Sequence, residues 1–193
     1  MARREIYVSV DIEADGPIPG RYSMLSLGAA AFWDDDPTPV ATWEGNFARL
    51  IGADQHADTM DWWSRQDPAV WSHVNDNPVD PELQTLAFVT WLESLPGNPV
   101  LVTYPAWDQM WVTWYITAFS RRNPFGLSGL DLKTLAMATL GFPSFKSTIK
   151  RHMPEELFEG APPHTHKALD DAIGQGVLLV SLMRRRAVTT REP

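Results

Sequence analysis

Two carboxylates stand one residue apart near the start of the chain, Asp11 and Glu13 in Val8-Ser9-Val10-Asp11-Ile12-Glu13. The residues before them are apolar and β-branched, so the stretch reads as a strand, on which positions two apart share a face. Side-by-side anions repel unless a cation lies between them. Oxygen donors suit hard divalent ions such as Mg2+ or Mn2+. The chemistry on offer is metal-assisted, and the remaining ligands must come from elsewhere in the chain.

Two later stretches can supply them. Asp108, in Thr103-Tyr104-Pro105-Ala106-Trp107-Asp108, falls just past a short apolar run and at the start of a helical pattern. Open α/β sheets place ligands at such strand ends. A helix dipole favours an acid there as well, so Asp108 by itself also reads as a plain helix-start residue. The second stretch is Pro162-Pro163-His164-Thr165-His166-Lys167-Ala168-Leu169-Asp170-Asp171-Ala172. His166 and Asp171 lie about 140° apart on an ideal helix. They converge only if His166 sits in the loop and Asp171 on the helix. Asp171 heads an apolar stripe with Leu178 and Leu182, whereas Asp170 belongs to the polar arc with Lys167, Gly174 and Ser181. That favours Asp171 as the acid facing a site, although both also read as dipole-compensating surface acids.

The elements that must hold these residues follow from pattern and punctuation. Residues 5–12 read as a first strand, 24–33 as a second and 40–50 as a third, joined by turn-rich segments. An antiparallel meander is expected. Helical patterning begins near Thr59, restarts at Pro68 and again over 81–95. Residues 100–103 read as a buried strand. Helices are expected over 107–121, over 130–140 with Gly141 as its stop, and over 167–186. Asp131 reads as a helix cap. The order predicts one α/β domain over 1–193, with its core about 5–186, built on a mixed sheet flanked by helices.

Composition narrows the partners. The 193 residues include no cysteine, which excludes disulfides and thiolate metal sites. The apolar share of 44% suits a globular chain. No apolar run approaches the ~18 residues that span a bilayer, and residues 1–6 lack the pattern of a signal peptide. A cytoplasmic protein is expected, with no membrane partner. The net charge of −8 speaks against a broad electrostatic grip on duplex DNA. It leaves room for a small footprint in which metal ions carry the phosphate contact.

Together the pieces run in a fixed order: Asp-x-Glu on the first strand, Asp after a later strand, His-x4-Asp at the last helix. In this the chain resembles the DEDDh family of 3'-5' exonucleases, whose fold is RNase H-like. The matching strings are Val10-Asp11-Ile12-Glu13, Tyr104-Pro105-Ala106-Trp107-Asp108 and His166-Lys167-Ala168-Leu169-Asp170-Asp171-Ala172, and the resemblance spans roughly residues 5–185. The chain departs from family habit at Ala14-Asp15-Gly16, where Thr-Gly or Ser-Gly often follows the Glu. It departs again at Tyr104, Pro105 and Trp107, where Asn or His before a Phe-Asp pair is common. Trp62-Trp63-Ser64-Arg65-Gln66-Asp67 looks like a variant from a bacterial and phage branch.

The resemblance implies an RNase H-like mixed sheet with three antiparallel strands plus parallel ones. It implies hydrolysis of the 3'-terminal phosphodiester of single-stranded RNA or DNA, with release of nucleoside 5'-monophosphates. Two Mg2+ or Mn2+ ions about 4 Å apart would be held by Asp11, Glu13, Asp108 and Asp171. Asp11 would bridge the ions and His166 would act as general base. The His-x4-Asp spacing sets His164 aside as a neighbour. Stacking on the last bases is expected from among Met24, Leu25, Trp62, Trp63 and Trp107, each of which also reads as core. Lys146, Lys150 and Arg151 form a small basic cluster, either a solvated helix face, the plainer reading, or a phosphate guide. Arg184, Arg185 and Arg186 complement the last helix dipole. Nine tryptophans exceed what one core needs and would allow a homodimer. The competing reading is a catalytically inactive metal- and nucleic-acid-binding module of the same fold. An aspartyl-phosphate phosphatase is disfavoured by Glu13 and by the His-x4-Asp motif. RNA against DNA is left open, because no residue signals a 2'-hydroxyl contact.

Overall fold

Alternation along the first strand decides the architecture. In the computed structural model, which describes residues 3–189, β1 spans Glu5–Ala14 and is central to a five-stranded sheet. Its even positions, Ile6, Val8, Val10 and Ile12, pack into one apolar cluster with Phe88, Leu92, Trp111 and Ile116. Its odd positions turn the other way, where Tyr7 packs against a second cluster containing Leu178, Leu179 and Leu182. Ser9, Asp11 and Glu13 continue that second face.

The remaining strands are β2 (Met24–Phe32), β3 (Ala41–Asn46), β4 (Asn98–Thr103) and β5 (Gly129–Asp131). Their order is β3-β2-β1-β4-β5. The first three form the expected antiparallel meander, and β4 and β5 add in parallel. The helices are α1 (Ala57–Ser64), α2 (Pro68–Val74), α3 (Pro81–Ser94), α4 (Trp107–Phe119), α5 (Leu132–Leu140) and α6 (Ala168–Thr189), with short 3-10 turns at Lys150–His152 and Glu155–Phe158. Proline in the first turn opens both α2 and α3, and Asp67 and Asp80 cap them. Helices α3 and α4 cover one face of the sheet, while α6 crosses the other. No helix is long and apolar enough to cross a membrane among the described residues.

Several element bounds differ from the pattern reading, three of them with a visible cause. The third strand ends at Asn46 rather than 50, because Val79 captures the next residues: Ala48 N–H donates to Val79 O at 2.7 Å. Helix α4 stops at Phe119, where Ser120 becomes extended. Residues 129–131 are a strand and not a helix start. Leu130 pairs with Val102, and the helix begins at Leu132 under the Asp131 cap, which accepts from Thr134 N–H at 2.7 Å. A three-residue strand is too short to display a period of two.

Candidate active site

The α6-facing side of β1 carries Asp11 and Glu13 at its carboxyl end, and α6 brings Asp171 down onto them. One glycine makes that approach possible. Gly28 on β2 is the register partner of Asp11, and a Cβ there would lie 2.2 Å from the Ala168 carbonyl carbon and the Leu169 nitrogen. The first turn of α6 therefore rests directly on β2 backbone beside Asp11. Donor oxygens of Asp11, Glu13 and Asp171 all fall within 4.8 Å of one another. Glu13 and Asp171 are buried. Gln175, one turn further along α6 and buried, donates from Nε2 to Asp11 Oδ1 at 2.7 Å.

Asp108 sits in the first turn of α4, beyond the end of β4, and is 3% exposed. It is not among the donors within 4.8 Å of one another. Its charge nevertheless acts on Glu13, and that of Asp11 acts on it. Its Oδ2 is buried without a hydrogen-bond partner. A buried carboxylate oxygen without a partner is costly unless something else coordinates it.

Protons here are held tightly. Burial, and then the neighbouring Asp171, push Asp11 up to about 8, against the opposing pull of Lys150 and Gln175. Burial also raises Glu13 well above the carboxylate range, with Asp11, Asp171 and Asp108 adding to it. Asp108 is raised by burial and by Asp11. Acids packed this way lose their protons readily only when positive charge arrives. The donor set, all carboxylate oxygen with one oxygen left without a partner, fits a hard divalent cation.

The histidines enter from the loop before α6. His166 has φ 57, in the left-handed region, so it stands outside the helix and turns back towards Asp171. The donor atoms of His164, His166 and Asp171 lie within 4.8 Å of one another. His164 is more than the bystander that spacing suggests: its Nδ1 lies 2.6 Å from Asp171 Oδ1. The two imidazoles meet edge to face, with centroids 4.3 Å apart. Burial lowers the His166 pKa, as does His164, while Asp171 opposes both. Asp170 turns aside and accepts from Thr165 Oγ1 at 2.8 Å.

Of the five apolar candidates, Met24, Leu25 and Trp63 are buried at 1%, 1% and 3% exposure. Little of their surface is open, although Trp63 lines a cleft with Met60 and Trp71. Trp63 also pins α1 to the end of β1, its Nε1 donating to Ala14 O at 3.0 Å. Trp62 is half-buried and presents its ring to His166, with centroids 5.2 Å apart. Trp107 is 38% exposed and donates from Nε1 to Pro17 O at 3.2 Å. Gln175 escaped sequence reasoning because a buried amide on an apolar stripe carries no motif. The departure at Asp15 also has a structural role. Its buried carboxylate accepts from Ser23 N–H at 2.6 Å and lies 3.3 Å from Arg49 Nε, tying the loop after β1.

This arrangement has relatives. The profile of the 3'-5' exoribonuclease Rv2179c-like domain matches residues 7–183. The chain belongs to that family. As an Rv2179c-like domain it is also similar to the 3'-5' DNA exonuclease Cap18 of Escherichia coli, at 28% identity over 91% of this chain and 90% of that protein. Among solved structures, the nuclease domain of 3'hExo, a DEDDh family member bound to rAMP, matches with TM-score 0.67 and 14% identity. That match covers 96% of this chain and 92% of the other. S. pombe Pop2p in its Mg2+- and Mn2+-bound form matches with TM-score 0.62 and 13% identity, over 96% and 83% of the two chains. A longer 3'-exonuclease, solved for recognition of a histone mRNA stem-loop, has TM-score 0.68 and 15% identity; the match covers 95% of this chain, which spans 65% of that one. The Rv2179c-like chain thus shares the RNase H-like fold expected from its motifs.

Proposed function

We propose that the protein is a metal-dependent 3'-5' exonuclease that removes nucleoside 5'-monophosphates from the 3' ends of single-stranded nucleic acid. The observation that carries this reading is the convergence of Asp11, Glu13 and Asp171 within 4.8 Å, with His166 meeting the same Asp171. Membership in a 3'-5' exonuclease family supports it. Mg2+ or Mn2+ is the proposed cofactor, as two ions held by Asp11, Glu13, Asp108 and Asp171. When bound there, the ions would supply positive charge to an anionic phosphodiester.

The side chains of this chain do the rest. His166, whose charged form burial disfavours, accepts the proton of the attacking water. The new bond joins the water oxygen to phosphorus, and the bond from phosphorus to the 3'-oxygen breaks. The departing 3'-oxygen is protonated from solvent. Trp62 buttresses the imidazole edge-on, which restricts its swing. Gln175 keeps Asp11 aimed inward. Trp107, exposed in the first turn of α4 beside Asp108, is the proposed platform for a terminal base.

The test uses single-stranded RNA and DNA labelled at their 5' ends, with Mg2+, with Mn2+ and with chelator. Stepwise shortening from the 3' end, release of 5'-monophosphates and loss of both in Asp11→Ala are expected. The choice of substrate is read from the same gel, since the family description names RNA and the Escherichia coli relative names DNA. Metal binding without nucleotide release would overturn the reading in favour of an inactive module.

A further inference from the structure

Lys150 occupies a place that its basic neighbours in sequence do not. Lys146 and Arg151 are exposed, whereas Lys150 is half-buried. It lines the cleft that also takes in His164, Asp170 and Asp171. Its ammonium lies 5.1 Å from the centre of the Tyr104 ring. Tyr104 follows β4 and donates its hydroxyl hydrogen to the Thr148 carbonyl at 3.3 Å. The connection that leads to Asp108 therefore also holds the turn that carries Lys150. Among the described residues Lys150 forms no ion pair. Its charge still reaches Asp11 and Asp108, whose ionised forms it favours.

A cation seated on an aromatic face beside a nest of acids, and bonded to none of them, keeps its donors free for another anion. We propose that Lys150 grips a non-bridging oxygen of the phosphate undergoing cleavage. The phosphate that lies against the carboxylate cluster is the scissile one, and the cleft joins Lys150 to that cluster through Asp171. A lysine suits the task because its ammonium is a compact charge on a flexible stem that can follow the phosphate as charge builds. The identity of the phosphate rests on the exonuclease reading; the presence of an anion contact does not.

The experiment compares wild type with Lys150→Met and Lys150→Arg. Affinity for AMP and dAMP in Mn2+ is measured by calorimetry, with melting temperatures as a check on folding. Lys150→Gln serves if the Met variant melts early. Loss of a charge-assisted contact predicts at least about a tenfold weaker affinity in Lys150→Met and substantial recovery in Lys150→Arg. The kinetic probe is the p-nitrophenyl ester of thymidine 5'-monophosphate, which carries only the phosphate to be cleaved. Equal losses of kcat/KM on this ester and on a single-stranded oligonucleotide are expected. Losses confined to the oligonucleotide would overturn the assignment to the scissile phosphate. Unchanged nucleotide affinity in Lys150→Met, or no affinity in wild type, would overturn the contact itself. Lys150-dependent nucleotide binding by a wild type that cleaves neither probe would leave the contact standing and overturn the exonuclease reading.

Discussion

The backbone at His166 directs its ring towards Asp171. A histidine at φ 57 is held in a region that non-glycine residues seldom occupy, and that conformation turns its ring out of the helix path. The proposed base role predicts that His166→Ala lowers turnover by about 100-fold or more while fold and Mn2+ affinity persist. Near-normal single-turnover rates would remove it from the reaction. Gln175 makes a separate prediction. It touches Asp11 and none of the other acids by hydrogen bond among the described residues. Gln175→Leu should weaken divalent-ion affinity by about 10–100-fold, the usual effect of losing a group that orients a ligand. Calorimetric titration with Mn2+ reads this directly. His164 is half in the motif's shadow: spacing singles out His166, yet His164 makes the shorter contact with Asp171. Spacing counts residues and cannot register a loop that folds both rings onto one carboxylate.

At the scale of elements, the seat of α6 on β2 is the controlling contact. Gly28 leaves no room for a methyl group against the Ala168 backbone, and backbone cannot move aside as a flexible side chain can. Gly28→Ala should cost about 1–3 kcal/mol through overpacking. It should also lift Asp171 from Asp11, so activity falls further than stability does. Urea unfolding and turnover measured on one preparation separate the two effects. Other parts of this frame are legible without coordinates. Alternation in Ile6, Val8, Val10 and Ile12 marks a strand with two distinct faces, and Pro68 and Pro81 mark helix starts. The β5 strand is not legible, because Gly129-Leu130-Asp131 becomes a strand only by pairing with β4.

Across the whole molecule the acids couple stability to pH and to metal. In the folded protein Asp11 keeps its proton up to about 8, whereas an unfolded chain releases it near 3.8. Between those values the folded state binds more protons, so stability of the metal-free protein falls as pH rises. Glu13 and Asp108 act in the same direction. Divalent ions bound at the proposed site would reverse the penalty by taking the place of the protons. The rise in melting temperature on adding Mn2+ should therefore be larger at pH 8 than at pH 5; an equal rise at both would contradict the burial of these acids. The net charge of −8 bears on binding as well. With one or two basic contacts, affinity for a single-stranded oligonucleotide should fall less than about tenfold between 50 and 200 mM salt.

What the residues alone determine is a set of candidate carriers in a fixed order along the chain. Two acids at strand spacing, one acid at a strand end and a His-x4-Asp pair can be read in order, since side-chain type and backbone period are local properties. What only the tertiary structure decides is distance. The meeting of Asp11 with Gln175 joins positions 164 apart in the chain, Lys150 reaches the cleft from a separate turn, and Asp171 meets His164 only because the short loop between them folds back. The burial of Met24, Leu25 and Trp63 is likewise decided only by packing. Packing is a property of the assembled core, where each element's position depends on all the others, and no single segment carries that information.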